Sequence, residues 1–257
     1  LSAETTDGTK ALPFLEHLEE LRRVLIFCIA AVVLAAIAAW FVSDEAIAIL
    51  SASVGERLNF AGVTEAFYTR LKISVVLGFL VSLPVILYRI WRFVAPGLFR
   101  RERVVILPMV LISSVLFYLG VAFAYFVVVP TATRFLLAFG AGVLEPVIMI
   151  GDYFGFVSRF CIVFGAVFQL PLVVSTLSYT GLVSSGTLLR KWRYALVGVL
   201  IFAAILTPPD IASQLMMAGP LVALYFFSVW LASIIERRRK PGADNSPDDG
   251  PDYDPEM

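Results

Sequence analysis

One histidine, His17, and two cysteines, Cys28 and Cys161, are all the imidazole and thiol side chains in this 257-residue chain. Two cysteines inside apolar stretches build neither a disulfide framework nor a four-ligand metal site. A single histidine excludes a His-rich metal cluster, and any Ser-His-Asp chemistry would have to use His17. Charged residues make up 16%, below the roughly 25% usual for soluble domains. The formal net charge is zero, so no global field draws nucleic acid or an acidic ligand. There is no G-x-x-x-x-G-K-[ST], no H-E-x-x-H and no G-x-S-x-G. No Asp, Glu, Lys or Arg stands at the middle of an apolar run, where ion pumps and proton relays usually place ionisable groups. The expectation is therefore a chain that is not an enzyme and holds no metal or cofactor.

What the chain has in excess is apolar sequence, at 60%. Uncharged runs cover Val24–Val42, Ile73–Tyr88, Val104–Thr133, Phe160–Leu189, Tyr194–Pro209 and Ile211–Ile235. A helix needs ~20 residues to cross ~30 Å of hydrocarbon. The runs predict an all-α, polytopic membrane protein with spans near 24–42, 71–91, 104–129, 156–179, 194–207 and 211–235. Spans five and six are short. They read either as a re-entrant pair or as two short crossings that thin the bilayer, and the second reading is preferred. Gly219-Pro220 should kink the sixth. Val24–Val42 after Arg22-Arg23 also invites a signal-peptide reading, but it is long for one and five further apolar segments come after it.

Sorted by segment, fifteen of the twenty basic residues fall on the side of the N-terminus and five on the other. The positive-inside rule then puts both termini in the cytoplasm. The outer loops, about 43–70 and 130–159, are expected to carry short surface helices. Residues 1–235 read as one six-helix membrane domain. Residues 236–257, rich in Pro, Gly and Asp, read as a disordered cytoplasmic tail.

Four stretches carry polar groups in suggestive places. Phe14 to Arg23 predicts an amphipathic helix feeding span one. Within it Glu16 and Glu20 are like charges at i,i+4, whereas Glu19 and Arg23 form a complementary pair. In Phe93 to Arg103, Pro96-Gly97 marks a turn, and Glu102 is the only acid among the five arginines between Arg89 and Arg103. Locally, it neutralises its neighbours and starts span three. Gln169 before Pro171 is the one strongly polar mid-span side chain. It is either interhelical glue or the lining of a polar cavity. Asp210, after Pro208-Pro209, caps the last span.

In their order, these pieces resemble the TatC family, the multispanning core of the twin-arginine protein translocase. The resemblance covers about Phe14 to Ile235. It is carried by Phe14-x-x-His17-Leu18-x-Glu20-Leu21-Arg22, by Phe93-x-Ala95-Pro96-Gly97-Leu98-Phe99-x-x-Glu102-Arg103, by Phe117-Tyr118-x-Gly120-x-x-Phe123-Ala124-Tyr125-Phe126 and by Leu206-Thr207-Pro208-Pro209-Asp210-x-x-Ser213-Gln214. The chain departs at Gln169, where many members carry Glu, and at Ser51-Ala52-Ser53, where a proline is common. The resemblance implies a multi-pass protein of the bacterial or archaeal inner membrane, part of an oligomeric complex. It would bind the twin-arginine signal peptides of folded cargo and organise TatA-type and TatB-type partners for export driven by the proton motive force. Glu20 and Glu102 are then the candidate acceptors, with His17, Leu18, Phe93 and Pro96 beside them. Arg22, Gly97 and Arg103 take orienting roles, and Pro208, Pro209, Asp210 and Gln214 form a partner contact or helix cap. The rival reading, a secondary transporter of a small solute, calls for inverted repeats that this sequence does not show.

Overall fold

A computed structural model describes residues 8–54, 58–60, 62–98, 106–138, 147–206 and 211–239. In hydrocarbon every backbone N–H and C=O must find a partner within the protein, so long apolar runs become helices. In chain order these are α1 (Gly8–Trp40), α2 (Ser43–Val54), α3 (Val63–Leu98), α4 (Ile106–Phe123), α5 (Val129–Ala138), α6 (Ile150–Val167), α7 (Leu170–Thr180), α8 (Ser185–Arg190), α9 (Trp192–Leu206) and α10 (Ile211–Arg239). Five stretches are long and apolar enough to cross a membrane: His17–Trp40, Thr64–Val94, Ile106–Ala138, Ile150–Thr180 and Met217–Arg237. The shorter α9, 15 residues or about 22 Å, supplies the sixth span.

The helices outrun the uncharged stretches that announced them. α1 and α3 have 33 and 36 residues, about 50 Å each at 1.5 Å per residue, so both project beyond ~30 Å of hydrocarbon. Span three does not stop at Pro130. A π-helical turn over Ala124–Val128, closed by the Val129 N–H on the Ala124 carbonyl, joins α4 to α5. That wider turn accommodates a ring that would otherwise clash one turn back. The helix runs on to Ala138 and the next begins at Ile150, so the outer loop is much shorter than 130–159. Likewise Pro96-Gly97 lies inside the last turn of α3. The Arg92 carbonyl that Pro96 leaves without a donor sits at a helix end, where water can replace the bond. Pro171 does break its span: α6 stops at Val167, and Phe168-Gln169 form a turn before α7. Pro220 stands inside α10 without ending it. Residues 240–257, most of the expected tail, lie outside the described residues.

With lipid as apolar as leucine, helices associate through close packing of small residues. A Cβ on Gly78 would lie 2.4 Å from the Ala36 backbone nitrogen, which places α1 directly against α3. A Cβ on Gly120 would lie 2.6 Å from the Phe164 carbonyl oxygen, so α4 crosses α6 backbone to backbone. Around that crossing Ala124, Val128, Phe160, Phe164, Ala203, Met217 and Leu221 form the core. On the side away from the chain's N-terminus, Arg70 donates to Ser43 Oγ and Asp44 Oδ2, both at 2.8 Å, and lies over the Trp40 ring. This clamp fixes the elbow between α1 and α2. Asn59 pairs with Met149 in a parallel bridge that ties the two outer loops together.

The buried polar tie inside the bundle joins three spans at one residue. Trp91 Nε1 of α3 donates to Ser113 Oγ of α4 at 2.6 Å. Gln169 Nε2 donates to the Ser113 backbone carbonyl at 2.9 Å. Gln169 thus makes an interhelical hydrogen bond, as the first of its two sequence readings expects. Gln214 also turns inward, its Nε2 donating to the Leu200 carbonyl at 2.9 Å and closing the α9–α10 hairpin.

The close crossings and the polar tie can each be tested by substitution. Gly120→Val should lower thermal stability in detergent by about 1–3 kcal/mol, measured by fluorescence-detected melting. Gly198→Ala, with nothing within 4 Å of its added Cβ, should leave the melting temperature unchanged. Gln169→Leu should cost about 0.6–2 kcal/mol of stability and lower the melting temperature in the same assay; an unchanged melting temperature would show that the bond contributes nothing.

Candidate functional site

The site lies where α1 enters the bundle and α3 leaves it. An amphipathic start is unavoidable for α1, because Phe14 to Arg23 interleaves acids and bases with leucines before the chain becomes wholly apolar. The Gly78–Ala36 contact lays α1 along α3. The consequence at this end is a ring stack: His17 lies on Phe93 with centroids 4.3 Å apart and planes 12° from parallel. About three turns further in, Arg89 of α3 rests its guanidinium over the Phe27 ring at 3.8 Å. A basic side chain is thereby occupied against α1.

Of the two neighbouring acids on α1, one is occupied. Arg23 Nη2 donates to Glu19 Oε1 at 2.6 Å, the i,i+4 pair the sequence predicts. Glu20 stands differently. Its Oε2 is 3.9 Å from His17 Nδ1, and the two side chains are 56% and 59% exposed. At 3.9 Å that contact is too long for a hydrogen bond. The carboxylate of Glu20 therefore keeps its acceptor capacity toward solvent, beside the imidazole that the Phe93 stack holds. Leu18 and Leu21 are exposed on the same helix, which places apolar surface next to the acid. Arg22 is also exposed.

The structure thus brings together His17, Glu20 and Phe93 of the residues singled out from sequence, with Leu18 adjoining. Pro96 and Gly97 occupy the final turn of α3, three and four positions past Phe93. Glu102, Arg103, Pro208, Pro209 and Asp210 lie outside the described residues. Gln169 lies deeper, in the Trp91–Ser113 tie, and Gln214 in the α9–α10 hairpin. Sequence reasoning missed Trp91, Ser113 and Arg89. A clue was available for the first two: Ser113-Ser114 are adjacent hydroxyls in an otherwise apolar span, and such groups must find partners inside protein.

This arrangement can accept planar cations. An exposed carboxylate flanked by an aromatic stack and leucines offers bidentate hydrogen bonding to a guanidinium and apolar contact for a hydrophobic segment attached to it.

Comparison with known proteins gives the arrangement its context. The family model described as Sec-independent protein translocase protein (TatC) matches residues 16–220. The Sec-independent protein translocase protein TatC of Carboxydothermus hydrogenoformans is 44% identical over 237 residues, covering 91% of this chain and 98% of the relative. The chloroplastic protein of that name from Oryza sativa is 40% identical over 240 residues, covering 92% of this chain and 67% of the relative. A crystal structure described as the twin arginine translocase receptor TatC matches with a TM-score of 0.78 at 34% identity, covering 85% of this chain and 99% of that one. The chain is a multi-pass membrane protein that belongs to the TatC family of Sec-independent protein translocase proteins.

Proposed function

We propose that this chain receives twin-arginine signal peptides at the cytoplasmic face of the inner membrane, with Glu20 and Glu102 accepting the two guanidinium groups. The observation that carries the reading is the exposed Glu20 carboxylate, held at the C-terminal end of α3 by the His17–Phe93 stack. Glu102 comes four residues after Leu98 in the sequence, and its part in the site rests on the family resemblance. Two arginines side by side require two acids side by side. Guanidinium groups keep their charge at every physiological pH, so recognition needs no proton exchange.

The surrounding bases sharpen the choice. Arg22, Arg92 and Arg103 repel isolated cations, leaving the acids as the favourable places for a paired one. His17 positions Glu20 rather than binding the signal itself. The apolar part of the signal would continue along the exposed leucines of α1. The uneven distribution of basic residues supports cytoplasmic termini. Single-span TatA-type and TatB-type proteins would dock on the lipid-facing helices, near the segment that includes Pro208, Pro209 and Asp210, and the proton motive force would drive export. With six spans and a packed core, this chain acts as a docking scaffold within an oligomeric complex, not as the conduit for a folded cargo. The small-solute transporter reading finds no support in the family assignment.

Glu20→Ala and Glu102→Ala should each weaken crosslinking of a twin-arginine signal to the detergent-solubilised protein tenfold or more. This is the equivalent of losing a charged hydrogen bond of about 1.5–3 kcal/mol. Both should abolish export of a twin-arginine reporter at unchanged protein abundance, and a Lys-Lys signal should bind neither parent nor variant well. Normal export in both variants would remove the recognition site. His17→Ala should have a smaller effect than Glu20→Ala on the same crosslinking assay, because it loosens the acid without deleting it.

A further inference from the structure

The turn between α8 and α9 concentrates positive charge that the recognition site does not use. Arg190, Lys191 and Arg193 fall within four consecutive positions, and all are exposed, as is Arg237 on α10. Among the described residues no carboxylate forms an ion pair with any of them. The acid next to Arg237 is engaged elsewhere: Glu236 Oε2 accepts from the Ser185 N–H at 3.0 Å and the Ser185 hydroxyl at 2.7 Å. That contact, together with the Tyr225 hydroxyl donating to the Leu188 carbonyl at 3.0 Å, pins the turn onto α10. The basic cluster is therefore held in place by its scaffold.

Directly beneath it a shallow crevice opens between α9 and α10, lined by Trp192, Leu196, Val199, Val222, Tyr225 and Phe226. Its walls are almost wholly apolar. Trp192, which lines it, and Tyr194, two residues on, are both exposed, as suits amphipathic rings at the headgroup level. Cations above an apolar slot complement a molecule with an anionic head and a hydrocarbon tail. They repel a cationic signal peptide. The shortness of α9 favours the same occupant, because a span below ~30 Å draws headgroups inward toward its basic end.

We infer that the α8–α9 turn seats an anionic phospholipid, its phosphate bound by Arg190, Lys191 and Arg193 and an acyl chain lying against the Trp192–Phe226 crevice. Arginine forks suit phosphate oxygens bidentately, and clustered bases select anionic over zwitterionic headgroups.

Native mass spectrometry of the full chain in detergent tests this, using phosphatidylglycerol and phosphatidylcholine with identical acyl chains. The wild-type protein should retain phosphatidylglycerol at least tenfold better. The triple variant Arg190→Gln, Lys191→Gln, Arg193→Gln should lose at least tenfold of that retention. The control pair Lys72→Gln, Arg134→Gln, which removes exposed bases elsewhere, should keep it. Equal retention of the two lipids by wild-type protein would overturn the seat without reference to any variant. So would unchanged retention in the triple variant, or an equal loss in the control pair. Displacement of the lipid by equimolar soluble glycerol phosphate would show a bare phosphate site and overturn it as well. If lipid retention is unchanged and the triple variant instead sheds a co-purifying single-span subunit, the turn docks protein, and the lipid assignment falls.

Discussion

Everything in this fold depends on the absence of water in the hydrocarbon. There, an unmet N–H or carbonyl costs several kcal/mol, and apolar side chains gain nothing by leaving lipid for one another. Helices must close their own backbones, and their association must come from close contact and a few hydrogen bonds. Gly78 against Ala36 and Gly120 against Phe164 supply the contact. Ser113 supplies the bonding, its hydroxyl facing Trp91 and its carbonyl facing Gln169. Large apolar side chains such as Leu34, Leu111 and Ile201 remain exposed because lipid is a good solvent for them.

The same constraint shapes the site. α1 and α3 can touch along their length only where side chains are small, and both are longer than the hydrocarbon is thick. Their ends therefore emerge together into water, already packed. That shared end brings His17 over Phe93 and leaves Glu20 facing outward. A carboxylate in this place is cheap to keep charged, because water solvates it.

Much of this was legible in the residues. Number and order of spans come from uncharged runs, and the Glu19–Arg23 pair from i,i+4 spacing. The four motifs point to the family and to Glu20. Helix ends were not legible, because charge marks where hydrocarbon stops and not where a helix stops. Thus α3 begins at Val63 rather than near 71, and α5 passes Pro130 through a π-helical turn that no local pattern announces. Long-range partners were equally hidden. Arg70 and Asp44 are 26 residues apart, and Trp91 and Ser113 are 22 apart. Periodicity within one helix carries no information about which neighbour it will face. The Ser113 tie is a consequence of tertiary packing, visible only once the spans are assembled.

The residue at 169 joins these threads. Its turn exists because Pro171 interrupts the span, and a broken span exposes backbone that must be compensated from nearby. The turn also carries an amide to a neighbouring helix: Gln169 donates its Nε2 hydrogen to the Ser113 carbonyl whatever the proton concentration. A carboxylate in the same place could donate only when protonated, since an ionised acid is acceptor-only. In this chain the tie is permanent. With the Trp91 bond to the Ser113 hydroxyl, it holds α3, α4 and the α6–α7 break together at one residue.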